Sequence, residues 1–200
     1  MKKLASKSSK EDSPWLWFIA GPNGAGKSTW VDSSARTKLL GSIPILNPDI
    51  IHSQTQEFKN FIDAGRQTLL ALKSHITIGK DFAIETTLSG RHYISKAQTL
   101  KKKGWSIGCI YIGLSSVEQS IVRVEERHRK GGHTVPLADI VRRYPRSIKN
   151  LALMTTFCDY VAVFDNSFEL ELLLETDGEG VYIRKNSLPQ WLKQILSQIL

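Results

Sequence analysis

An α/β fold, with a five-stranded, mainly parallel sheet flanked by helices, is predicted by three observations. From Trp15 to Asp165, short apolar runs alternate with longer stretches of helical period, the pattern of βαβ units. A glycine-rich segment, Gly21 to Gly26, joins the first apolar run to the first helical stretch. The chain has 200 residues, 41% of them hydrophobic, which is enough for one core and leaves little room for a second.

The elements follow in order. Met1 to Ser13 holds Lys2, Lys3, Lys7 and Lys10 among Ser and Ala with no apolar face to pack, so 1–13 reads as a disordered basic tail and 14–200 as one domain. Strands are expected at Trp15 to Ala20, Ile43 to Leu46, Phe82 to Thr86, Ser106 to Gly113 and Tyr160 to Asp165, each rich in β-branched or aromatic residues and bounded by turn formers. Helices are expected at Lys27 to Arg36, Gln56 to Ser74, Arg91 to Lys103, Ser116 to Lys130 and Pro136 to Met154. Beyond Asp165, Phe168 to Glu175 and Gly180 to Lys185 flank Asp177-Gly178 and read as an antiparallel hairpin. Leu188 to Leu200 places Leu188, Trp191, Leu192, Ile195, Leu196 and Ile199 on one helical face, with Pro189 in the first turn, and reads as a C-terminal helix closing the core.

Composition excludes several function classes. The longest strongly apolar run, Trp15 to Ala20, is far short of the roughly 20 residues that cross a bilayer and too short for a signal-peptide core, so a cytoplasmic protein with no membrane contact is expected. Cys109 and Cys158 sit among apolar residues and read as buried thiols, not a disulfide framework or zinc site. The five histidines match no zinc spacing. A net charge of +8 favours phosphates, nucleic acids or acidic surfaces, and its placement has to choose among them.

Directly after the first strand, Gly21, Pro22, Asn23, Gly24, Ala25, Gly26, Lys27, Ser28 and Thr29 make a full match to GxxxxGK[ST]. Glycines let backbone N–H groups turn inward around an anion at distances a Cβ would obstruct. Lys27 supplies a point charge for the terminal phosphates, Ser28 a hydroxyl for Mg²⁺, and the helix that follows its positive dipole end. ATP or GTP binding follows, and with it a P-loop NTPase or kinase fold. No Gly-Gln follows Leu88-Ser89-Gly90 and no apolar run ends in Asp-Glu downstream, which argues against a transporter ATPase; no Asn-Lys-x-Asp is present to read guanine.

In open parallel sheets the ligand lies beyond the carboxyl ends of the strands, where two acids stand. Asp49 follows the second strand and is the candidate base or metal-orienting carboxylate; helix-start chemistry after Asn47-Pro48 is the alternative. Glu85 ends the third strand and reads as a substrate clamp, or as a structural hydrogen-bonding group. Between Arg123 and Lys149 stand eight basic residues against three acids, interrupted by Gly131-Gly132-His133-Thr134-Val135-Pro136. A flexible turn between two cationic helices reads as a lid over 123–149 that delivers arginines to the transferring phosphoryl group.

With the phosphate loop, Asn47-Pro48-Asp49, Glu85-Thr86-Thr87-Leu88-Ser89-Gly90 and Gly131-Gly132-His133-x-Val135-Pro136 in that order, the chain from about Trp15 to Asn166 resembles the zeta-toxin family of P-loop kinases. The resemblance implies an ATP- and Mg²⁺-dependent kinase, whose toxin members phosphorylate the 3′-hydroxyl of UDP-N-acetylglucosamine, and it raises an antitoxin protein as partner. By position, Lys27 and Ser28 take ATP and Mg²⁺, Asp49 matches the catalytic base, and Glu85 and Thr87 match acceptor-binding positions, with Arg91 just beyond them. Arg127 is the counterpart of the arginine on the ATP phosphates, with Arg123 as the alternative register. Where those toxins carry a second arginine before the proline this chain has His133, and Arg142, Arg143 or Arg146 would substitute. The expected function is transfer of the γ-phosphate to a hydroxyl of a small molecule such as a nucleotide sugar. A polynucleotide or other small P-loop kinase, and a non-catalytic ATP-gated module, are the alternatives; nucleic acid is the less favoured partner.

Overall fold

Trp15–Ala20 forms β1, and the sheet is assembled around it. The structure, a computed structural model, describes residues 13–47, 61–132 and 134–199. All but Ser13 of the expected basic tail therefore lies outside the described residues, as do Asp49, His133 and the beginning of the helix expected from Gln56.

Three more strands match their expected limits, β3 (Phe82–Thr86), β4 (Ser106–Gly113) and β5 (Tyr160–Asp165). The second strand, β2, is shorter than Ile43 to Leu46 and spans Ile45–Leu46. Pro44 has no N–H for the ladder; its carbonyl accepts from Ala83 N at 2.8 Å, and the Ile43 carbonyl takes Arg36 instead. These five strands are parallel, in the order β2-β3-β1-β4-β5. The hairpin, β6 (Glu171–Asp177) and β7 (Gly180–Ile183), adds antiparallel to β5 and brings the sheet to seven strands. Asp177 Oδ1 accepts from the N–H groups of Glu179 and Gly180 and closes its turn. A bulge between Val163 and Phe164 lets Leu173 and Leu174 both bury.

Both faces of the parallel sheet are covered, so its strands are apolar throughout. Leu16, Phe18 and Ala20 of β1 face one core; Trp17 and Ile19 face the other. The first core is roofed by α3 (Phe61–Ile78), α4 (His92–Lys102), α6 (Leu137–Thr155) and α7 (Gln190–Leu196). The second is roofed by α1 (Lys27–Val31) and α2 (Ser34–Leu40). The expected single helix from Lys27 to Arg36 is thus two helices. Asp32-Ser33-Ser34 breaks it: Ser33 is extended at φ −86°, ψ 159°, donates to Trp30 O and accepts from Arg36 N as the cap of α2. The third helix runs past Ser74 to Ile78 and stops at Gly79, whose φ is 70°.

The remaining helix, α5 (Val117–Arg129), is capped by Ser116 and ends in a turn at Lys130 and Gly131 ahead of α6. The last helix is shorter than Leu188 to Leu200: Pro189 caps it instead of lying in its first turn, and it ends at Leu196. Cys109 is buried and Cys158 partly so, both as free thiols; burial pushes the Cys109 thiol up to about 12, which removes it as a nucleophile. Among the described residues no helix is long and apolar enough to cross a membrane.

Two glycines of β4 make room for indoles. A Cβ on Gly108 would lie 2.3 Å from the Trp17 ring and one on Gly113 would lie 2.2 Å from Trp191. Gly108→Ala should therefore destabilise by about 1–3 kcal/mol through overpacking. Gly178→Ala, with no atom within 4 Å of its Cβ, should leave the thermal midpoint unchanged, as differential scanning calorimetry of the two variants would read.

Candidate active site

Beyond Ala20 the chain turns through Gly21, Gly24 and Gly26, at φ 144°, 74° and 87°. A side chain at Gly21 would run into the carbonyl of Ile112, 2.0 Å from its Cβ, and one at Gly26 would meet Asn166 Nδ2 at 2.6 Å. Gly26 is also the N-cap of α1, so no side chain caps this helix. The first-turn N–H groups of a helix have no intrahelical acceptor and suit an anion. Lys27, 9% exposed, folds over the loop and donates from Nζ to Gly21 O at 3.0 Å and Pro22 O at 2.9 Å. The loop sets a buried ammonium beside glycines in left-handed conformations, a charge and a backbone that fit a phosphate chain.

The register of the sheet brings the acid to this loop. Glu85 lies beside Ile19 across the β1–β3 ladder, and the residue is 8% exposed. Ser28 Oγ donates to Glu85 Oε1 at 3.0 Å and Asn47 Nδ2 donates to Oε2 at 2.8 Å. Both oxygens of a buried charge are thereby engaged, from α1 on one side and from the residue after β2 on the other. Asp49, the expected base, lies two residues beyond Asn47 and outside the described residues. The Ser28 hydroxyl and the Glu85 carboxylate, beside the phosphate loop, are hard oxygen donors of the kind Mg²⁺ takes together with water and phosphate oxygens. Among the described residues no three His, Cys, Asp or Glu cluster to cage a metal by themselves.

After β3 the chain makes a tight turn. The hydroxyls of Thr87 and Ser89 are 3.0 Å apart, and Thr86 Oγ1 accepts from Leu88 N at 3.0 Å. Arg91 stands exposed as the N-cap of α4.

On the opposite flank α5 braces the loop. Ser120 Oγ donates to the Asn23 carbonyl, and a Cβ on Gly24 would lie 3.1 Å from Arg123 Cβ. The Arg123 guanidinium reaches the carbonyl of Ser167 at 3.0 Å, which Gln119 Nε2 also holds at 2.6 Å. Arg127, one turn on, is exposed and leads into the turn, where its carbonyl accepts from Gly132 N at 2.9 Å. At the start of α6, Asp139 receives Arg142 at 2.6 Å and Arg143 at 2.8 Å. The hydrogen bond from Arg142 and then the charge of Arg143 hold the Asp139 carboxyl below its ordinary value.

The structure therefore brings Lys27, Ser28, Glu85 and Asn47 together and sets Arg123 against Gly24. Four participants escaped the sequence reading: Asn47 as a partner of Glu85, Ser120, Gln119 and Asn166. Asn166 follows β5 and donates to Ala25 O at 2.9 Å. The one signal for it was an Asn-Ser pair at the carboxyl end of a strand, a place where ligands gather. The other three are single polar residues within or beside regular elements and carry no pattern of their own.

The chain is similar to an uncharacterised protein of Haemophilus influenzae, 34% identical over 131 residues that cover 62% of this chain and 88% of that one. Its fold is similar to a structure from the PezAT chromosomal toxin–antitoxin system of Streptococcus pneumoniae, with a TM-score of 0.63, 18% identity, and coverage of 96% of this chain and 88% of that one. It is likewise similar to the AvrRxo1-ORF1:-ORF2 complex solved with ATP, with a TM-score of 0.66, 15% identity, and coverage of 96% of this chain and 64% of the other. The fold is that of the P-loop kinases. The model of the family described as Zeta toxin matches residues 2–178, and the chain belongs to that family.

Proposed function

We propose that this chain is an ATP-dependent kinase that transfers the γ-phosphate to a hydroxyl of a small molecule, a nucleotide sugar such as UDP-N-acetylglucosamine. Membership of the zeta toxin family supports a kinase-like, ATP-using activity. One observation carries the reading furthest: the Glu85 carboxylate, an expected acceptor-binding group, receives both the hydroxyl of Ser28 from the phosphate loop and the amide of Asn47.

In this reading Gly21 to Thr29 cradle the phosphates and Lys27 swings from the Gly21 and Pro22 carbonyls to the terminal phosphates. Ser28 would hold Mg²⁺, and Glu85, expected from its position to bind the acceptor, receives the Ser28 hydroxyl and would share the ion directly or through water; the ion would supply charge neutralisation at the phosphates. Asp49 takes the proton of the acceptor hydroxyl as its oxygen attacks the γ-phosphorus; the bond to the β-phosphate bridging oxygen breaks and ADP leaves. Thr87 and Arg91 bind the acceptor from the turn after β3 and the cap of α4. The α5–α6 hairpin acts as the lid, with Arg127, or Arg123 in the alternative register, on the phosphates. An antitoxin protein is the macromolecular partner in this reading, supported by the family and by the likeness to the PezAT structure.

Incubation with γ-labelled ATP, Mg²⁺ and a panel of nucleotide sugars, read by mass spectrometry, tests the assignment. A singly phosphorylated nucleotide sugar is expected; label appearing only in inorganic phosphate or only in nucleic acid would sink it. Lys27→Ala should abolish transfer, and Asp49→Ala should lower kcat by about 10²- to 10⁴-fold, the worth of a general base. Arg127→Ala should lower kcat by about 10³- to 10⁵-fold, and if Arg123→Ala shows that loss instead, the alternative register is correct. Glu85→Gln keeps the shape but removes the negative charge, and should raise the Mg²⁺ needed for half-maximal activity by roughly tenfold or more, the equivalent of one charge-assisted hydrogen bond.

A further inference from the structure

Among the described residues Leu88 is the one non-glycine with a left-handed backbone, at φ 55°. It stands between Thr87 and Ser89, whose hydroxyls meet. A bulky L-residue stays in this region only when its surroundings over-determine it. Three contacts do so. The side chain is 1% exposed and belongs to the core that includes Ile148, Leu151 and Ala152 of α6. Its N–H is held within the turn by Thr86, and its carbonyl accepts from Asn150 Nδ2 at 2.8 Å.

Asn150 is an uneconomical choice for its place. It lies inside α6 with 8% exposure, next to core-facing Leu151, where a poor helix former with a buried amide is worse than an aliphatic residue unless the amide is used. Its use is the Leu88 carbonyl. That carbonyl belongs to the Leu88–Ser89 peptide, so fixing it fixes the plane from which Ser89 departs. Without it the peptide can rotate, and Thr87 and Ser89 lose their common orientation.

We infer that Asn150 is a positioning residue of the acceptor site, which holds the Thr87–Ser89 turn in its binding shape by clamping the carbonyl of Leu88. This rests on the proposed function for the identity of the site. The same helix carries Asp139, Arg142 and Arg143 in its first turns, before Pro145, and Asn150 after it.

The test uses the full chain with Asn150→Ala and Asn150→Asp. The second keeps the shape and sets a carboxylate against the carbonyl, so one variant suffices if the other fails to fold. Hydrogen–deuterium exchange without ligands should show residues 86–90 exchanging about tenfold faster or more, with the 21–29 loop unchanged. In kinetics with the acceptor found for the wild type, the acceptor KM should rise about tenfold, while kcat and the KM for ATP stay within about twofold. Unchanged exchange at 86–90 overturns the inference, as does faster exchange with an unaltered acceptor KM. Wild-type protein that phosphorylates no acceptor removes the proposed function instead, and the exchange arm then decides whether Asn150 clamps the turn.

Discussion

A carboxylate buried at the tip of a strand has to find donors for both oxygens, and the way Glu85 finds them shapes the whole cleft. Its strand lies between β2 and β1, so one oxygen can reach the residue leaving β2 and the other the helix that follows β1. Had β3 stood at the edge of the sheet, the same acid would have met solvent on one side. Strand order is thus what converts three distant stretches of sequence into one polar contact, and it explains why the acid, the hydroxyl and the amide come from positions 85, 28 and 47.

The other side of the cleft is built on the opposite logic. The phosphate loop is rich in glycine and owns few side chains, so its shape has to be imposed by neighbours. Ser120 takes the Asn23 carbonyl, Asn166 takes that of Ala25, and the base of Arg123 fills the space against Gly24. Two of these come from α5, which also ties down the segment after β5 through Gln119 and Arg123. The shape of the loop is thereby held by groups outside it, the kind of support on which a fixed donor array depends.

Much of this was legible in the residues. Four strands were readable to the residue because each is an apolar run between turn formers, and the phosphate loop because its glycines and Lys27 serve a single purpose. What resisted was decided by tertiary contact. Ser33 splits a helix whose period looks continuous, since its hydroxyl serves the backbone on both sides. Pro44 shortens β2 by lacking an N–H, and Pro189 starts α7 later than its apolar face suggests. At the site, Glu85 was found as an acid at a strand end, but its donors could not be, because nothing local in Asn47 or Ser28 reveals that strand β3 runs beside β1 and β2. Asn150 was invisible for the same reason: inside a helical period it reads as an ordinary polar position.

The hairpin that extends the sheet has a consequence for colloidal behaviour. A row of unpaired strand N–H and C=O groups is a template for a second chain, and a parallel core of five apolar strands would be a hazardous one to leave open. Here the described sheet ends in two residues of β2 on one side and four residues of β7 on the other. Beside that outer strand, Arg184 binds the Glu175 carboxylate that also receives the Tyr160 hydroxyl, and Lys185 pairs with Glu171. The outer margin at β7 is short and edged with charge, which leaves little length there on which a neighbouring strand could pair.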